Sequence, residues 1–347
     1  MKKNVYGNIE DMIVHIKMVT PKGVVQRNCQ APRISSGPDI HQIILGSEGI
    51  LGVITEVIMK VRPIPAYKKY GSIVFPKFDL GVETLKEVVD QQLRPASMRL
   101  MDNAQFIFGQ ALKPEAASLI SSLADRVAKY YLTQVKKLDM KKICVVTLLL
   151  EGTKKVSSSM HHQCHFIFSK QRGLPAGEEN GKRGYMLTFV IAYLRDLALD
   201  FGILSESFET SVPWDKVIDL CKNVKYRIEK EVSRYAIPNP PLVSCRVTQS
   251  YDVGACVYFY FAFSCLGVSD AITIYEEIEM AARDEVLANG GSISHHHGVG
   301  KLRKPWMKQT VSDTGLEMLQ AVKSSMDPSN IFASGNLLDV MKIQSSL

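Results

Sequence analysis

The 347-residue sequence lacks several features that would place it in a familiar class of protein. It has no cysteine pair at zinc-ligand spacing and no apolar segment near its start of the kind found in signal peptides. Its most apolar stretch is far shorter than the roughly 20 residues that span a bilayer. It carries no zinc-finger, homeodomain or RNA-recognition signature. These absences argue against nucleic-acid-binding, secreted and membrane-spanning proteins and favour an intracellular one.

Neither the net charge nor the number of cysteines assigns the sequence to a class of protein. The 42 lysines and arginines only modestly exceed the 35 aspartates and glutamates, and the net charge of +7 favours anionic partners such as phosphate esters or acidic lipid surfaces. The seven cysteines are an odd number and most lie singly within apolar runs, which predicts buried, reduced thiols. With 46% hydrophobic residues the chain can build a core, and its length predicts two domains.

The first 65 residues contain strand patterns. Residues 12–19 are rich in β-branched side chains, a turn with proline and glycine follows at 20–23, and apolar residues resume at Val24, which predicts a β-hairpin. A glycine-containing segment at 46–52 leads into a predicted strand at 53–61, which stops at two closely spaced prolines. The sequence therefore predicts a domain boundary near Pro65.

From Pro65 onward, strand and helix patterns alternate. Strands are predicted at 72–75, 97–101, 144–150, 207–211, 243–249 and 256–263, and helices at 81–92, 116–131, 215 onward, 270–288 and 313–325. The helix that starts near Asp215 carries four apolar residues on one face, at Val217, Cys221, Val224 and Ile228. The alternation predicts an α+β layer.

The segment from Gly46 to Gly52 has three glycines, which expose backbone N–H groups and tolerate positive φ. By itself the pattern is explained either by a tight turn before a strand or by a loop that approaches a ligand closely. The pattern leaves both interpretations open.

Arg195 follows a stretch, 187–194, that would be apolar nearly all round as a helix. We expect its guanidinium to be at least partly buried and to meet an anion, because an unpaired buried charge is very costly. The anion is either a substrate phosphate or a protein carboxylate such as Glu206 or Glu209. Asp196 is an unfavourable partner, because adjacent helical residues point apart.

Residues 256–263 alternate between the two faces of a strand. Val257 and three phenylalanines form the core face, which leaves Tyr258 and Tyr260 on the other. A phenol near a cation can donate or accept a proton, although strand tyrosines also serve as packing residues. The preceding strand offers Arg246, but the turn between the strands does not determine the register, so whether Arg246 faces Tyr258 stays open.

His295, His296 and His297 precede Gly298 and a group of basic residues. Three imidazoles beside cations suit proton transfer or anion binding, and the string also fits a solvated polar loop. If it is extended, His295 and His297 share a side. The neighbouring cations would repel a metal ion, so no metal is predicted. A second histidine cluster, at 161–165, is predicted to lie on the solvated face of a surface helix.

These segments together resemble the alkyldihydroxyacetonephosphate synthase family, FAD-linked enzymes related to vanillyl-alcohol oxidase. The matching motifs are residues 6–11, 46–56, 183–185, 207–211, 245–249 and 294–303, and the resemblance extends to about residue 338. It implies an α+β fold with the C-terminal part of a vanillyl-alcohol-oxidase-type FAD-binding domain at 1–65. A ferredoxin-like cap domain with an antiparallel sheet and helices would follow at 66–290, and 291–347 would return to the FAD-binding domain with the catalytic histidines.

The resemblance also implies roles for individual residues. Tyr258 would be the acid/base residue, and Arg195 and Arg99 would bind substrate. The three histidines His295, His296 and His297 would be needed for activity. The loop that contacts FAD would consist of Glu48, Gly49, Ile50, Leu51, Gly52, Val53 and Ile54.

The reaction implied by the resemblance is the exchange of the acyl chain of acyl-dihydroxyacetone phosphate for a long-chain fatty alcohol through a flavin N5 adduct, with FAD as cofactor and no net oxidation. The resemblance further implies a homodimer, peripheral membrane association, no nucleic-acid partner and a peroxisomal location. The end Ser345-Ser346-Leu347 matches the peroxisomal tripeptide only weakly.

Members of this family carry their pyrophosphate-binding glycine loop upstream of the matching residues. We therefore expect this polypeptide alone to bind FAD poorly and to be inactive. Two other functions stay open: a flavoenzyme of the same superfamily that oxidises a 2-hydroxy acid, and a non-catalytic interaction or membrane-surface module. The triple histidine disfavours the first, because those relatives usually have a single histidine before Gly-x-Gly.

Overall fold

A computed structural model of the chain describes residues 2–29, 31, 34–112 and 130–340. The chain divides into two units. The large unit contains Pro65–Gly291 and the first five residues, and the small unit combines Tyr6–Ile64 with the chain from Ser292 onward. The predicted helix at 116–131 falls mostly outside the described residues, and the tripeptide at 345–347 falls wholly outside them.

The strands form one antiparallel sheet in each unit. The small unit contains β1 (Ile13–Thr20), β2 (Gly23–Gln26) and β3 (Val53–Met59), in the order β2-β1-β3. The large unit contains β4 (Tyr67–Phe75), β5 (Ser97–Met101), β6 (Cys144–Gly152), β7 (Leu174–Pro175), β8 (Ile203–Pro213), β9 (Leu242–Tyr251) and β10 (Gly254–Ser264), in the order β7-β4-β6-β5-β9-β10-β8. Every strand predicted from the sequence is confirmed, and β7 is an addition.

The described helices surround these sheets. They are α1 (Lys3–Tyr6), α2 (Ile9–Met12), α3 (Ile40–Ile44), α4 (Phe78–Asp90), α5 (Asn103–Ala111), α6 (Lys154–Lys170), α7 (Glu178–Asp200), α8 (Val217–Val232), α9 (Ala271–Ala288), α10 (Met307–Thr310) and α11 (Asp313–Met326). A π-helical turn occupies Tyr131–Val135, and 3₁₀ turns occupy Trp214–Lys216 and Lys304–Trp306. The predicted helices corresponding to α4, α8, α9 and α11 are confirmed. None of the described helices combines the length and apolarity needed to cross a bilayer.

The core of the large unit lies against one face of its sheet. The alternation predicted for β10 is confirmed, because Val257, Phe259, Phe261 and Phe263 are all at most 2% exposed. The apolar face predicted for α8 is also buried in this core, together with residues of α4, α6 and α9. Burial of these apolar side chains supplies the main favourable term in folding.

Helix α7 packs closely on the sheet of the large unit. A Cβ atom at Gly181 would lie 2.2 Å from the carbonyl oxygen of Gly71, and one at Gly184 would lie 2.7 Å from the Thr147 side chain. Such short separations exclude a larger side chain at either position, so the glycines allow the close approach. This approach carries the side chains of α7 to the face of the sheet opposite the phenylalanines.

All seven cysteines are free, as predicted. Five of them are buried, in agreement with the prediction, whereas Cys29 is exposed and Cys265 is partly exposed. Cys29 lies in a polar segment after β2 rather than in an apolar run, so the argument for burial does not apply to it.

Candidate active site

The tyrosines of β10 face an arginine of the neighbouring strand. Tyr258 pairs with Arg246 in the β9–β10 register, and a register shift at Cys256 and Val257 precedes this pair. The guanidinium carbon of Arg246 lies 5.8 Å from the ring centre of Tyr258 and 5.3 Å from that of Tyr260, and Arg246 donates a hydrogen bond to the Tyr260 hydroxyl. The register left open by the sequence therefore brings a cation to both phenol rings.

Arg99 brings a second buried guanidinium to the same region. It lies on β5, which pairs with β9 at Leu100 and Met101, and it is 2% exposed. Its guanidinium carbon lies 5.0 Å from the ring centre of Tyr185, and it donates a hydrogen bond to the Thr188 hydroxyl. Burial first, and then the positive charge of Arg246, lower the pKa of Arg99 to about 10, against the opposing effect of nearby tyrosines.

We call Arg99, Arg246, Tyr185, Tyr258 and Tyr260 the arginine–tyrosine cluster. Burial raises the pKa of Tyr258, with a smaller rise from Tyr260, whereas Arg246 lowers it. Burial also raises the pKa of Tyr260, and both arginines oppose that rise. Both phenols therefore keep their protons at neutral pH, so in this state they are proton donors.

Arg195 occupies a different setting from the one predicted. Its side chain is 47% exposed, so the expectation of a partly buried guanidinium was wrong. Arg195 lies on a part of α7 that is open to solvent. Arg195 donates to Glu206 at 2.6 Å, which confirms the structural ion pair that the sequence left as an alternative. It also donates to Asp196 at 3.2 and 3.3 Å, so the long side chain reaches the neighbour that helical geometry disfavours.

An apolar cavity of about 590 Å³ lies within the large unit. Its walls include Ile191, Leu194 and Arg195 of α7, and Ser244, Tyr260 and Ala262 of β9 and β10. A volume of this size and an apolar lining with few polar groups are typical of small-molecule sites. Arg195 and the arginine–tyrosine cluster, through Tyr260, thus both border one cavity.

The glycine loop of the small unit contains Gly46, with φ of +79°, and Gly49, with φ of +77°. Both are exposed, and no atom lies within 4 Å of a Cβ built at Gly46. A Cβ at Gly52 would lie 2.2 Å from the carbonyl oxygen of Val19, so this third glycine serves the packing of the loop on β1. The loop therefore combines both interpretations that the sequence left open, a packed turn and an accessible backbone.

The residues expected to contact FAD differ in exposure. Ile50 and Leu51 are buried at 4% and 3%, whereas Val53 and Ile54 are 54% and 46% exposed. The residues fit a flavin in one respect: one short segment of the chain has an exposed backbone at Gly49 and exposed apolar side chains at Val53 and Ile54, a combination suited to a flat ligand with polar edges. Contact with FAD at these positions stays a prediction.

Glu48 connects the glycine loop to the histidine segment. Its carboxylate accepts hydrogen bonds from the backbone N–H groups of Val299 at 2.6 Å and Gly300 at 2.7 Å. Gly298 has a φ of +85°, which favours glycine, and a Cβ there would lie 2.7 Å from the Glu48 carboxylate and would displace it. Arg303 in turn donates to the Gly298 carbonyl oxygen at 2.6 Å. We call this arrangement the Glu48 clamp.

The three histidines of the small unit contact one another in sequence. The Nδ1 atoms of His295 and His296 are 2.7 Å apart, and the rings of His296 and His297 have centres 4.8 Å apart. The segment is bent rather than extended, so the side-by-side placement of His295 and His297 expected for a strand does not apply. Bending brings adjacent imidazoles within hydrogen-bonding distance, which suits proton transfer.

The second histidine cluster is less solvated than predicted. On α6, His161 and His165 are each partly buried, and their ring centres are 4.3 Å apart. Burial and the neighbouring His165 lower the pKa of His161 to about 4. The prediction of a solvated face was therefore wrong for these two residues and right for His162, which is exposed.

Sequence reasoning missed part of this arrangement. It assigned no role to Tyr185 or Thr188, it left open whether Arg246 faces the tyrosines of β10, and it did not foresee that Glu48 binds backbone N–H groups. The alternation of β9 and β10 indicated that Arg246 and the tyrosines share a face, but only the register places them side by side.

Comparison with known proteins shows where the chain belongs. Residues 64–337 match the family described as FAD linked oxidases, C-terminal domain. The chain is 53% identical to the alkyldihydroxyacetonephosphate synthase of Caenorhabditis elegans over 341 residues, which cover 98% of this chain and 57% of that protein. It is 31% identical to the Dictyostelium discoideum protein of the same name, over 97% of this chain and 54% of that one.

A solved structure of an alkyldihydroxyacetonephosphate synthase matches with a TM-score of 0.73 at 27% identity, over 96% of this chain and 55% of that chain. This match confirms the α+β fold class predicted from the sequence. The chain spans a little more than half the length of the relatives that it matches. Because the family match covers most of its residues, the chain belongs to the FAD linked oxidases and contains their C-terminal domain.

Proposed function

We propose that this chain contributes the substrate-binding part of an alkyldihydroxyacetonephosphate synthase, with acyl-dihydroxyacetone phosphate and a long-chain fatty alcohol as substrates. The relatives with this name support the proposal at 53% and 31% identity. The observation that carries it is the apolar cavity bordered by the arginine–tyrosine cluster. Cationic side chains beside an apolar cavity suit an anionic headgroup attached to a hydrocarbon chain.

The proposed reaction exchanges one group on the first carbon of the substrate. The bond between this carbon and the acyloxy oxygen breaks, a bond to the alcohol oxygen forms, and the fatty acid leaves, so there is no net oxidation. The family is FAD-linked, and Glu48 to Ile54 would hold the cofactor. When bound, FAD would supply the electron-accepting ring against which the substrate carbon reacts.

Tyr258 is the proposed proton carrier. It keeps its proton in the free protein because burial raises its pKa, and Arg246 is the neighbouring cation that favours the phenolate when a proton must be accepted. His295, His296 and His297 would assist departure of the acylate, because adjacent imidazoles can supply a proton. Arg99 and Arg195 would bind substrate, Arg195 at the edge of the cavity where it now pairs with Glu206.

The same proposal extends to the cellular setting. We propose that the protein associates peripherally with a membrane, because the substrates of ether-lipid synthesis carry long hydrocarbon chains. A homodimer and a peroxisomal location are proposed from the resemblance to the family. The modest excess of positive charge supports attraction to an acidic lipid surface.

The proposal is tested with the protein as it occurs in its host, supplied with FAD, acyl-dihydroxyacetone phosphate and labelled hexadecanol. We expect label to enter the dihydroxyacetone phosphate product, and Tyr258→Phe to reduce kcat by at least a hundredfold. Tyr226→Phe is the matched control, because Tyr226 is 66% exposed on α8 and should leave kcat unchanged. Flavin reduction by a 2-hydroxy acid in place of label transfer would reject the proposal.

A further inference from the structure

Arg246 is a buried cation without a carboxylate partner. It is 8% exposed, and no carboxylate contacts it among residues 2–29, 31, 34–112 and 130–340. Its polar contact is with the hydroxyl of Tyr260, and its Nε atom has no hydrogen-bond partner. A buried charge of this kind is costly unless an anion compensates it, which points to a ligand.

A second buried guanidinium, that of Arg99, strengthens the argument that an anion binds beside Arg246. Arg99 is 2% exposed, and the positive charge of Arg246 is one of the two main influences that disfavour its charged form. Two guanidinium groups close together in a poorly solvated place repel each other. A dianion between them would offset the repulsion and could accept hydrogen bonds from guanidinium groups, because guanidinium forks match the oxygens of phosphate.

The strand register relates Arg246 to the cavity. Ser244 pairs with Tyr260, and both line the cavity, as does Ala262 on the same face of β10. Arg246 and Tyr258 form the next pair along this face, because side chains two residues apart on a strand point the same way. Arg246 therefore lies one residue pair beyond the cavity wall, where the headgroup of a ligand in the cavity would lie.

We propose that Arg246, together with Arg99, binds the phosphate of an amphiphilic phosphate monoester whose hydrocarbon chain occupies the cavity. This inference rests on the proposed function, and it adds a residue and an orientation to it. Arg195, already paired with Glu206 and Asp196, lies elsewhere along the cavity and is not required as the main phosphate ligand. The phenol of Tyr260 orients Arg246 through their hydrogen bond.

The test measures binding without turnover and without flavin. Hexadecyl phosphate, palmitate and hexadecanol are titrated into the full chain by calorimetry, so that phosphate, carboxylate and uncharged headgroups are compared on one hydrocarbon chain. We expect Arg246→Met to weaken hexadecyl phosphate binding at least tenfold and to leave hexadecanol binding unchanged. Arg246→Lys should weaken it less, because the charge remains but the planar fork is lost.

Arg94→Met is the matched control, because Arg94 is exposed in the same unit and should leave all three affinities unchanged. Tyr260→Phe provides a second variant if Arg246→Met does not fold, and it should weaken hexadecyl phosphate alone. Undiminished hexadecyl phosphate binding in the folded Arg246 variants would overturn the inference, as would equal losses for hexadecanol. Failure of alkyl exchange with phosphate binding intact would reject the proposed function instead.

Discussion

The Glu48 clamp should control the mobility of the histidine segment. In Glu48→Ala, the N–H groups of Val299 and Gly300 lose the carboxylate that accepts both of their hydrogen bonds. A hydrogen bond to a charged group contributes about 1.5 to 3 kcal/mol, and water can replace part of it because these residues are only partly buried. We therefore expect the two bonds together to contribute about 2 kcal/mol to closure of the segment.

At about 1.4 kcal/mol for each factor of ten, this loss corresponds to roughly thirtyfold faster amide exchange at Val299 and Gly300. Hydrogen exchange followed by mass spectrometry on a peptide that spans 294–303 measures it. Glu48→Gln should give an intermediate result, because the amide keeps one acceptor but sets a donor against the other N–H group. Glu56→Gln, an exposed glutamate of β3, is the control. Unchanged exchange in Glu48→Ala would show that the clamp does not hold this segment.

Three further predictions concern stability. Asp102→Ala should lower the free energy of unfolding by about 2 to 4 kcal/mol, because Asp102 caps α5 and accepts a hydrogen bond from Lys225 at 2.9 Å. Urea unfolding measures this loss, and a loss below about 1 kcal/mol would contradict the prediction. His161 should titrate near pH 4 when followed by NMR. Because its pKa in the folded state lies below its pKa in the unfolded state, the free energy of unfolding should decrease as the pH is lowered from about 6.5 to 4. His161→Gln should make the free energy of unfolding less dependent on pH in this range. Gly52→Ala should destabilise the small unit, because its Cβ would meet the Val19 carbonyl oxygen, and an unchanged Tm would refute the packing argument.

The glycine loop at 46–52 illustrates how much a local sequence pattern can predict. Three glycines before a predicted strand left open a tight turn or an accessible backbone, and Gly46 and Gly49 have the positive φ that the pattern allows. The pattern contained no information about Glu48, whose carboxylate binds N–H groups about 250 residues later in the chain. A contact between residues so far apart in the sequence produces no periodic pattern from which it could be predicted.

Arg195 shows the opposite case, in which a local rule misled. An apolar helix predicted a buried guanidinium, but much of this apolar surface on α7 is itself exposed, including Phe189 at 52% and Tyr193 at 74%. Hydrophobicity along a helix indicates which side chains favour burial, whereas the neighbours available in the fold decide which of them are covered.

The sequence by itself determined the strands other than β7, the helices α4, α8, α9 and α11, the phenylalanine face of β10 and the family, because each depends on side-chain periodicity or on contiguous motifs. Only the tertiary structure decided that Arg246 lies against Tyr258 and Tyr260, that Arg99 joins them, and that one cavity borders this cluster. Strand register explains why the sequence did not predict these contacts. Alternation assigns a residue to a face, but its neighbour across the sheet depends on how two strands align, and that alignment is set by the packing of the whole unit.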